Sequence, residues 1–322
     1  MNQPATGSLY PMFLQRESRR RLWRAPRWVT GLPVKRLGLA LVALLLVGYL
    51  AASVYGEQST FHPQHRGDGP SPADFGMVYS DVSFKDGAGL TLRGWWVPGT
   101  KHRTAVMVHG WTSSRQEPMR RSAYLHAAGY NLLLFDLRGH GTSDGSYTTM
   151  GASEPDDVQQ AVAFAQRRDP VAPVALIGYS MGASLAIETG AHDGAVVAVV
   201  EDSGYDSLVN VVNDHFSKVT RLPGFLAAGM LALEAVDLHV NPSAVRPIDD
   251  VAHLDRPLLV IIGSNDTMVP PAQGYRIFAA APGPKQLLVF PGAGHVGGYY
   301  QDPATYAKNV LGFLDRAFGR AG

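Results

Sequence analysis

Ser180 stands in Gly178-Tyr179-Ser180-Met181-Gly182, between the apolar run Val174–Ile177 and the helix-forming stretch Ala183-Ser184-Leu185-Ala186. Glycines two before and two after the serine let neighbouring backbone approach closely, and the residue between them can be held in a strained conformation. A strand, a tight turn and a helix in that order make a G-x-S-x-G nucleophile elbow, which lifts one hydroxyl above the strand end. A serine hydroxyl alone is a poor nucleophile; it needs a base to take its proton and an anion to orient that base. Both stand downstream, each just past an apolar run. Leu258–Ile262 leads into Gly263-Ser264-Asn265-Asp266, and Gln286–Phe290 leads into Pro291-Gly292-Ala293-Gly294-His295. Asp266 and His295 are therefore the candidate acid and base, in the chain order that accompanies such an elbow. Asp202 and Asp206, near the end of the preceding apolar run Val196–Val200, remain rival acids.

Acyl transfer through a tetrahedral oxyanion needs two donors converging on one point. The backbone N–H of Met181, first in the elbow helix, supplies one. His109-Gly110-Trp111 closes the apolar run Ala105–Val108, and the N–H of Trp111, freed by the turn at Gly110, is the natural second. His109 reads as a buried residue fixing that loop rather than as a base. The chain has no cysteine, so thiolate nucleophiles, disulfides and cysteine-based zinc sites are excluded. His62 and His65 lie in a stretch read as solvated linker, and no metal-ligand spacing such as His-Glu-x-x-His occurs. The chemistry calls for no cofactor and no metal.

Positioning these groups requires a sheet. Val78–Phe84 and Leu90–Val97 flank a Gly-rich turn and predict an antiparallel hairpin. Buried runs then alternate with helical patterns: Ala105–Val108, a helix over Met119–Ala128, Leu132–Phe135, and a helix from Ser153 as N-cap to about Arg168. The elbow strand, Val196–Val200, Leu258–Ile262, Gln286–Phe290 and a closing helix Ala304–Phe318 follow. Such alternation predicts an α/β fold, a mostly parallel sheet with helices on both faces and ligands at the carboxyl ends of the strands. One segment breaks it. About residues 203–256 are far too long for an ordinary connection and predict a small helical lid. Phe216, Phe225, Leu226 and Met230 in it either line an acyl pocket or form the lid's own core.

The 322 residues are 46% hydrophobic and 17% charged, enough for a sizeable core. The net charge of +1 hides an asymmetry. Residues 1–36 hold eight Lys/Arg against Glu17 alone, while the remaining chain carries 20 basic and 26 acidic residues. An acidic body with its basic residues confined to one tail argues against nucleic acid. Residues 37–55, LGLALVALLLVGYLAASVY, carry no charge and no polar stripe. At 1.5 Å per residue they make roughly 28 Å of helix, close to the hydrocarbon thickness of a bilayer. Trp23 and Trp28 among arginines suit the membrane–water interface, and the basic tail places the N-terminus in the cytoplasm and the body outside. Ala51-Ala52-Ser53 offers a cleavage site, but the long basic region and long apolar stretch favour an uncleaved anchor over a signal peptide. The expected plan is a basic tail (1–36), a transmembrane helix (37–55), a linker (56–76) and a catalytic domain (77–322).

HGWTSSRQE, FDLRGHGTSDG, GYSMG, IIGSNDTMVP and GAGH occur in that order between about Val78 and Phe318. In this the chain resembles α/β-hydrolase-fold serine hydrolases, most closely membrane-tethered ones near the acylglycerol-lipase and acyl-thioesterase branches. The resemblance implies a triad of Ser180, Asp266 and His295, oxyanion donors Trp111 and Met181, and a mostly structural motif at Asp136 and Arg138. It implies a small-molecule acyl ester or thioester substrate, lipid-like in character, cleaved through an acyl-enzyme. Dehalogenase relatives need aspartate where Ser180 stands, and peptidase relatives carry an N-terminal propeller that a 20-residue linker does not supply. An acyltransferase or amide hydrolase on the same triad, and a silent binding protein, are the alternatives.

Overall fold

Short apolar runs, too brief for helices, become six strands of one eight-stranded sheet, and a more polar hairpin supplies the other two. In the computed structural model, which describes residues 32–63 and 69–321, these are β1 (Ser80–Lys85), β2 (Thr91–Val97), β3 (Thr104–Val108), β4 (Asn131–Phe135), β5 (Val174–Tyr179), β6 (Val196–Asp202), β7 (Leu258–Gly263) and β8 (Lys285–Phe290). Their order is β1-β2-β4-β3-β5-β6-β7-β8. The β1–β2 hairpin and the β2–β4 pairing are antiparallel; every other pairing is parallel. Strand alternation sorts the core into two layers. Val106, Val108, Leu176, Val199 and Val260 pack on one face, and Ala105, Met107, Ile177, Val200 and Ile261 on the other. The expected α/β-hydrolase fold, a mostly parallel sheet wrapped by helices on both faces, is the fold observed.

The chain adds β4 on one side of β3 and β5 on the other. The carboxyl ends of β3 and β5 therefore flank the point where strand order reverses, the place where open α/β sheets hold ligands. The loop after β3 carries Gly110 and Trp111; the turn after β5 is Ser180.

Three local expectations change. Met119–Ala128 is two short helices, Gln116–Met119 and Ala123–Ala127, because the Ser122 hydroxyl donates to the Met119 carbonyl at 3.1 Å and ends the first. Ser153 precedes the helix Glu154–Arg168 but makes no side-chain cap. The Glu154 carboxylate instead accepts from Thr149 N at 2.7 Å and Gly151 N at 2.9 Å. The third change is the largest. The apolar helix runs Leu32–Phe61, so residues 56–61, expected as linker, extend it to just before Pro63. Two groups of the body take up its last carbonyls: Trp111 Nε1 donates to Thr60 O at 2.7 Å and Thr148 N to Phe61 O at 2.8 Å. Phe61 itself is fully buried. Contacts divide the chain into a unit up to Gly48 and a unit from Tyr49 onward. In the first, the described apolar side chains Val34–Val47 stand exposed along a helix that, over Val34–Phe61, is long and apolar enough to cross a membrane. The tail bearing Trp23 and Trp28, and His65, lie outside the described residues.

The segment between β6 and β7 is helical. Leu208–Thr220 is N-capped by Ser207, whose hydroxyl accepts from Asn210 N at 3.2 Å, and it stops at Arg221 in the left-handed region. Gly224–Ala227 and Ala228–Asp237 follow, the two arms meeting at a bend of 108°.

Candidate active site

Ser180 has φ +55° and ψ −122°, a conformation that L side chains rarely adopt. The surrounding backbone enforces it. A Cβ on Gly178 would lie 2.1 Å from Gly182 O, and one on Gly182 would lie 2.3 Å from Val108 O, so strand, turn and helix close only with glycine at both positions. Ser180 N donates to Asp202 O at 2.9 Å, and Ser180 O accepts from Ala183 N at 2.9 Å, which fixes the turn from either side.

His295 reaches this hydroxyl from the loop after β8: Nε2 is 2.8 Å from Ser180 Oγ. Its Nδ1 is 2.7 Å from Asp266 Oδ2. A carboxylate accepts only, so Nδ1 carries the proton and Nε2 turns its lone pair to the hydroxyl. The other Asp266 oxygen accepts from Met268 N at 2.8 Å and Val269 N at 3.0 Å, and the carboxylate is almost wholly buried. The β7 and β8 loops are tied together by Asn265 N to Ala293 O at 2.9 Å and Gly292 N to Ser264 Oγ at 2.8 Å. The Asp–His distance is thus set by backbone rather than by two free side chains.

The rival acids are engaged elsewhere. Asp202 accepts from the Tyr306 hydroxyl at 2.9 Å and from Ser203 Oγ at 3.1 Å, and burial pushes its carboxyl above the usual range. Asp206 accepts from Arg276 Nε at 2.5 Å and from Asn210 Nδ2 at 3.0 Å. Asp202 still serves the site at one remove, because Ser203 Oγ also accepts from Val296 N, next to His295.

His109 is fully buried, with Nδ1 donating to Gly110 O at 2.8 Å and Nε2 accepting from Leu137 N at 3.0 Å. Both nitrogens are used in the neutral tautomer, and burial pushes this imidazole down to about 4. His140, packed edge-on at 5.1 Å, is also pushed to about 4, by burial and then by His109. The unfolded chain would protonate both near 6.5. Their contribution to stability is therefore whole above about pH 6.5 and lost as pH falls from there toward 4. Imidazole NMR signals of these two should keep their neutral-form shifts down to about pH 5; a midpoint near 6.5 would contradict the packing described.

Asp136, just past β4, bridges the loops that follow β3 and β4, accepting from Arg115 N at 2.8 Å through one oxygen and from Thr142 N at 2.9 Å through the other. Arg138 fills the acidic cluster Asp86, Asp156 and Asp157 with its guanidinium, so the motif is structural. A second group that could hold a metal ion, Glu57, His62 and Asp237, joins residues far apart in sequence, with His62 Nε2 at 3.4 Å from Glu57 Oε1 and 3.7 Å from Asp237 Oδ2. It ties the end of the apolar helix to the helix Ala228–Asp237.

Ser180, Trp111 and Met181 lie in the lining of one cavity of about 450 Å³, within the roughly 300–1,000 Å³ of small-molecule sites. Trp111 stands in a turn closed by Ser113 N to Gly110 O, and Met181 opens its helix, where a backbone N–H has no intrahelical acceptor. Phe216 and Met230 line the cavity as expected of a pocket. Phe225 does not; it is 68% exposed, and Leu226 is absent from the lining too. His215 joins the wall from the helix Leu208–Thr220, its imidazole held below the ordinary value by burial and then by Lys218. Sequence reasoning missed the wall formed by Ala52, Tyr55, Gly56, Ser59 and Thr60, because those residues were divided between membrane span and linker. One signal was present: no helix breaker follows Gly56 until Pro63.

An eight-stranded, mostly parallel sheet with a serine elbow, a histidine and an aspartate after successive strand ends defines the α/β-hydrolase class. The chain belongs to the alpha/beta hydrolase family, whose model matches residues 105–309, from β3 into the last helix. An uncharacterised protein of Mycobacterium tuberculosis is 30% identical over 261 residues, covering 80% of this chain and 86% of that one. The uncharacterised protein YfhR of Escherichia coli K12 is 26% identical over 298 residues, 88% of this chain and 96% of its own length. Among solved structures, the Pyrococcus furiosus esterase Pf2001 superposes with a TM-score of 0.68 at 28% identity, covering 79% of this chain and 98% of the esterase. The fold and these relatives make the protein a hydrolase.

Proposed function

We propose that the protein is a membrane-anchored serine hydrolase that cleaves a carboxylic ester through an acyl-enzyme on Ser180. The observation that carries this reading is the unbroken hydrogen-bonded chain from Ser180 Oγ through His295 to Asp266, with the serine in the lining of an apolar cavity. His295 Nε2 takes the Oγ proton as Oγ bonds to the substrate carbonyl carbon. Asp266 holds the imidazole in the required tautomer and stabilises the imidazolium that forms. The N–H groups of Trp111 and Met181 receive the oxyanion. As the tetrahedral species collapses, its bond to the leaving alkoxide breaks and the imidazolium returns the proton to that oxygen. A water then repeats the sequence: it gives a proton to His295, attacks the acyl carbon, and releases the acid and Ser180. A thioester would follow the same steps with a thiol leaving. The Pyrococcus esterase supports an ester substrate by its likeness in fold and sequence.

The residues from about 203 to 256 act as a lid over the strand ends. The basic tail 1–36 keeps the N-terminus in the cytoplasm, the helix containing residues 37–55 anchors the chain uncleaved in the cell membrane, and the domain 77–322 works on the outer side. A reporter fused after Phe318 should be active only when its enzyme functions outside the cytoplasm; activity of a cytoplasm-only reporter would overturn this topology. A panel of p-nitrophenyl esters from acetyl to decanoyl tests the reaction itself. Each buried methylene should add about 0.8 kcal/mol, roughly fourfold in kcat/KM, until the cavity is filled. No turnover of any ester above the buffer rate would refute the reading.

A further inference from the structure

Besides the strand-end residues around Ser180, the cavity has two further walls. One wall is the lid, through Val211, Phe216 and Val219; the other is the last turns of the apolar helix Leu32–Phe61. Ala52, Tyr55, Gly56, Ser59 and Thr60 recur at intervals of three, four, seven and eight residues, one face of a helix. That face is fastened to the body at several points. The Tyr49 hydroxyl accepts from Gly229 N at 2.9 Å, Thr60 Oγ1 lies 3.7 Å from Met230 Sδ, and Trp111 and Thr148 hold the final carbonyls. Three of the five wall residues are alanine, glycine or serine, which leaves room where longer side chains would fill the cavity.

Of the exposed lining residues, which include Ala52, Ser59, Thr220 and Met268, two carry large and strongly exposed apolar side chains, Tyr55 at 77% and Val219 at 67%, and they mark the open side. One belongs to the apolar helix and the other to the lid, where Leu222 and Phe225 add 51% and 68% exposed apolar side chains. Apolar surface of this kind is costly against water and costs nothing against lipid. Resting on the ester-hydrolase reading above, we propose that the cavity takes the acyl chain of a membrane lipid ester. The chain enters from the bilayer past Tyr55 and Val219, and the helix face Ala52–Thr60 sets the length that fits. The anchor is then part of the substrate site as well as a tether.

Two sets of variants of the full-length protein, reconstituted in phosphatidylcholine vesicles, test this. Ala52→Trp and Ser59→Trp narrow the cavity from the helix side at independent positions, so one remains informative if the other fails to fold. Each should lower the decanoyl-to-acetyl ratio of kcat/KM at least tenfold; a ratio within twofold of wild type would overturn the role of the helix face. Tyr55→Lys and Val219→Lys place charge at the mouth. They should reduce turnover of a long-chain ester embedded in the vesicles at least tenfold more than turnover of a water-soluble short-chain ester. Equal losses on both would mean entry from water and would overturn delivery from the bilayer. A wild type inactive on every ester refutes the hydrolase reading; an active wild type with unmoved ratios refutes this inference alone.

Discussion

Ser180→Ala should lower kcat by about 10⁴–10⁶-fold with every ester, as loss of the nucleophile does in serine proteases whose remaining groups still bind substrate. The fold should survive, since the elbow is held by backbone bonds to Asp202 and Ala183 and by the glycines at 178 and 182, not by the hydroxyl. Alanine keeps the strain, because it has the same difficulty as serine at φ +55°. Ser180→Gly removes it. The glycine variant should therefore be as inactive as the alanine variant but more stable by about 1 kcal/mol, which for a domain of this size is roughly 2–4 °C in Tm. Retention of a tenth or more of wild-type kcat by either variant would remove Ser180 from the nucleophile role. Equal Tm values would mean the turn is not strained.

Asp266→Asn should cost about 10⁴-fold in kcat. An amide presented to Nδ1 can donate as well as accept, so the imidazole turns to the tautomer whose Nε2 carries the proton, and Ser180 loses its base. The same side chain also accepts from Met268 and Val269, both neighbours of the cavity, so a small rise in KM should accompany the loss. Asp202→Asn should lower kcat less than tenfold, because Asp202 bonds Tyr306 and Ser203 rather than His295. Steady-state kinetics on the two variants side by side separate the assignments. A larger loss in Asp202→Asn would move the acid role to the end of β6.

The contrast between those two aspartates shows what could be read in the sequence. Asp266 was legible because a short apolar run ending in Gly-Ser-Asn-Asp places an acid at a strand end, and strand ends are where this architecture gathers its chemistry. Nothing local excluded Asp202. Only the fold brings Tyr306, from the last helix, to occupy its carboxylate. β3 to β8 were legible for the same reason, each an apolar run between breakers, whereas β1 and β2, only partly buried, were legible as a hairpin around a Gly-rich turn. Residues 56–61 were not, because glycine, glutamate, glutamine, serine and threonine after a membrane span look like a linker. They are helical through partners remote in sequence, the Trp111 indole and Thr148 amide on their carbonyls and the buried ring of Phe61. Phe225, expected either in the pocket or in the lid's own core, is 68% exposed and lines no part of the cavity. It is as apolar as Phe216, but the 108° bend between the lid helices accompanies a ring that stays outside the cavity.

The central claim is that Ser180 is the group acylated during turnover. Exposing the full-length protein to an alkyl fluorophosphonate and mapping the adduct by peptide mass spectrometry tests it without knowledge of the natural substrate. The account predicts stoichiometric phosphonylation of Ser180 in the wild-type chain and none in Ser180→Ala, with labelling slowed at least a hundredfold in Asp266→Asn. An adduct on any other hydroxyl, or labelling of Ser180→Ala at the wild-type rate, would contradict it.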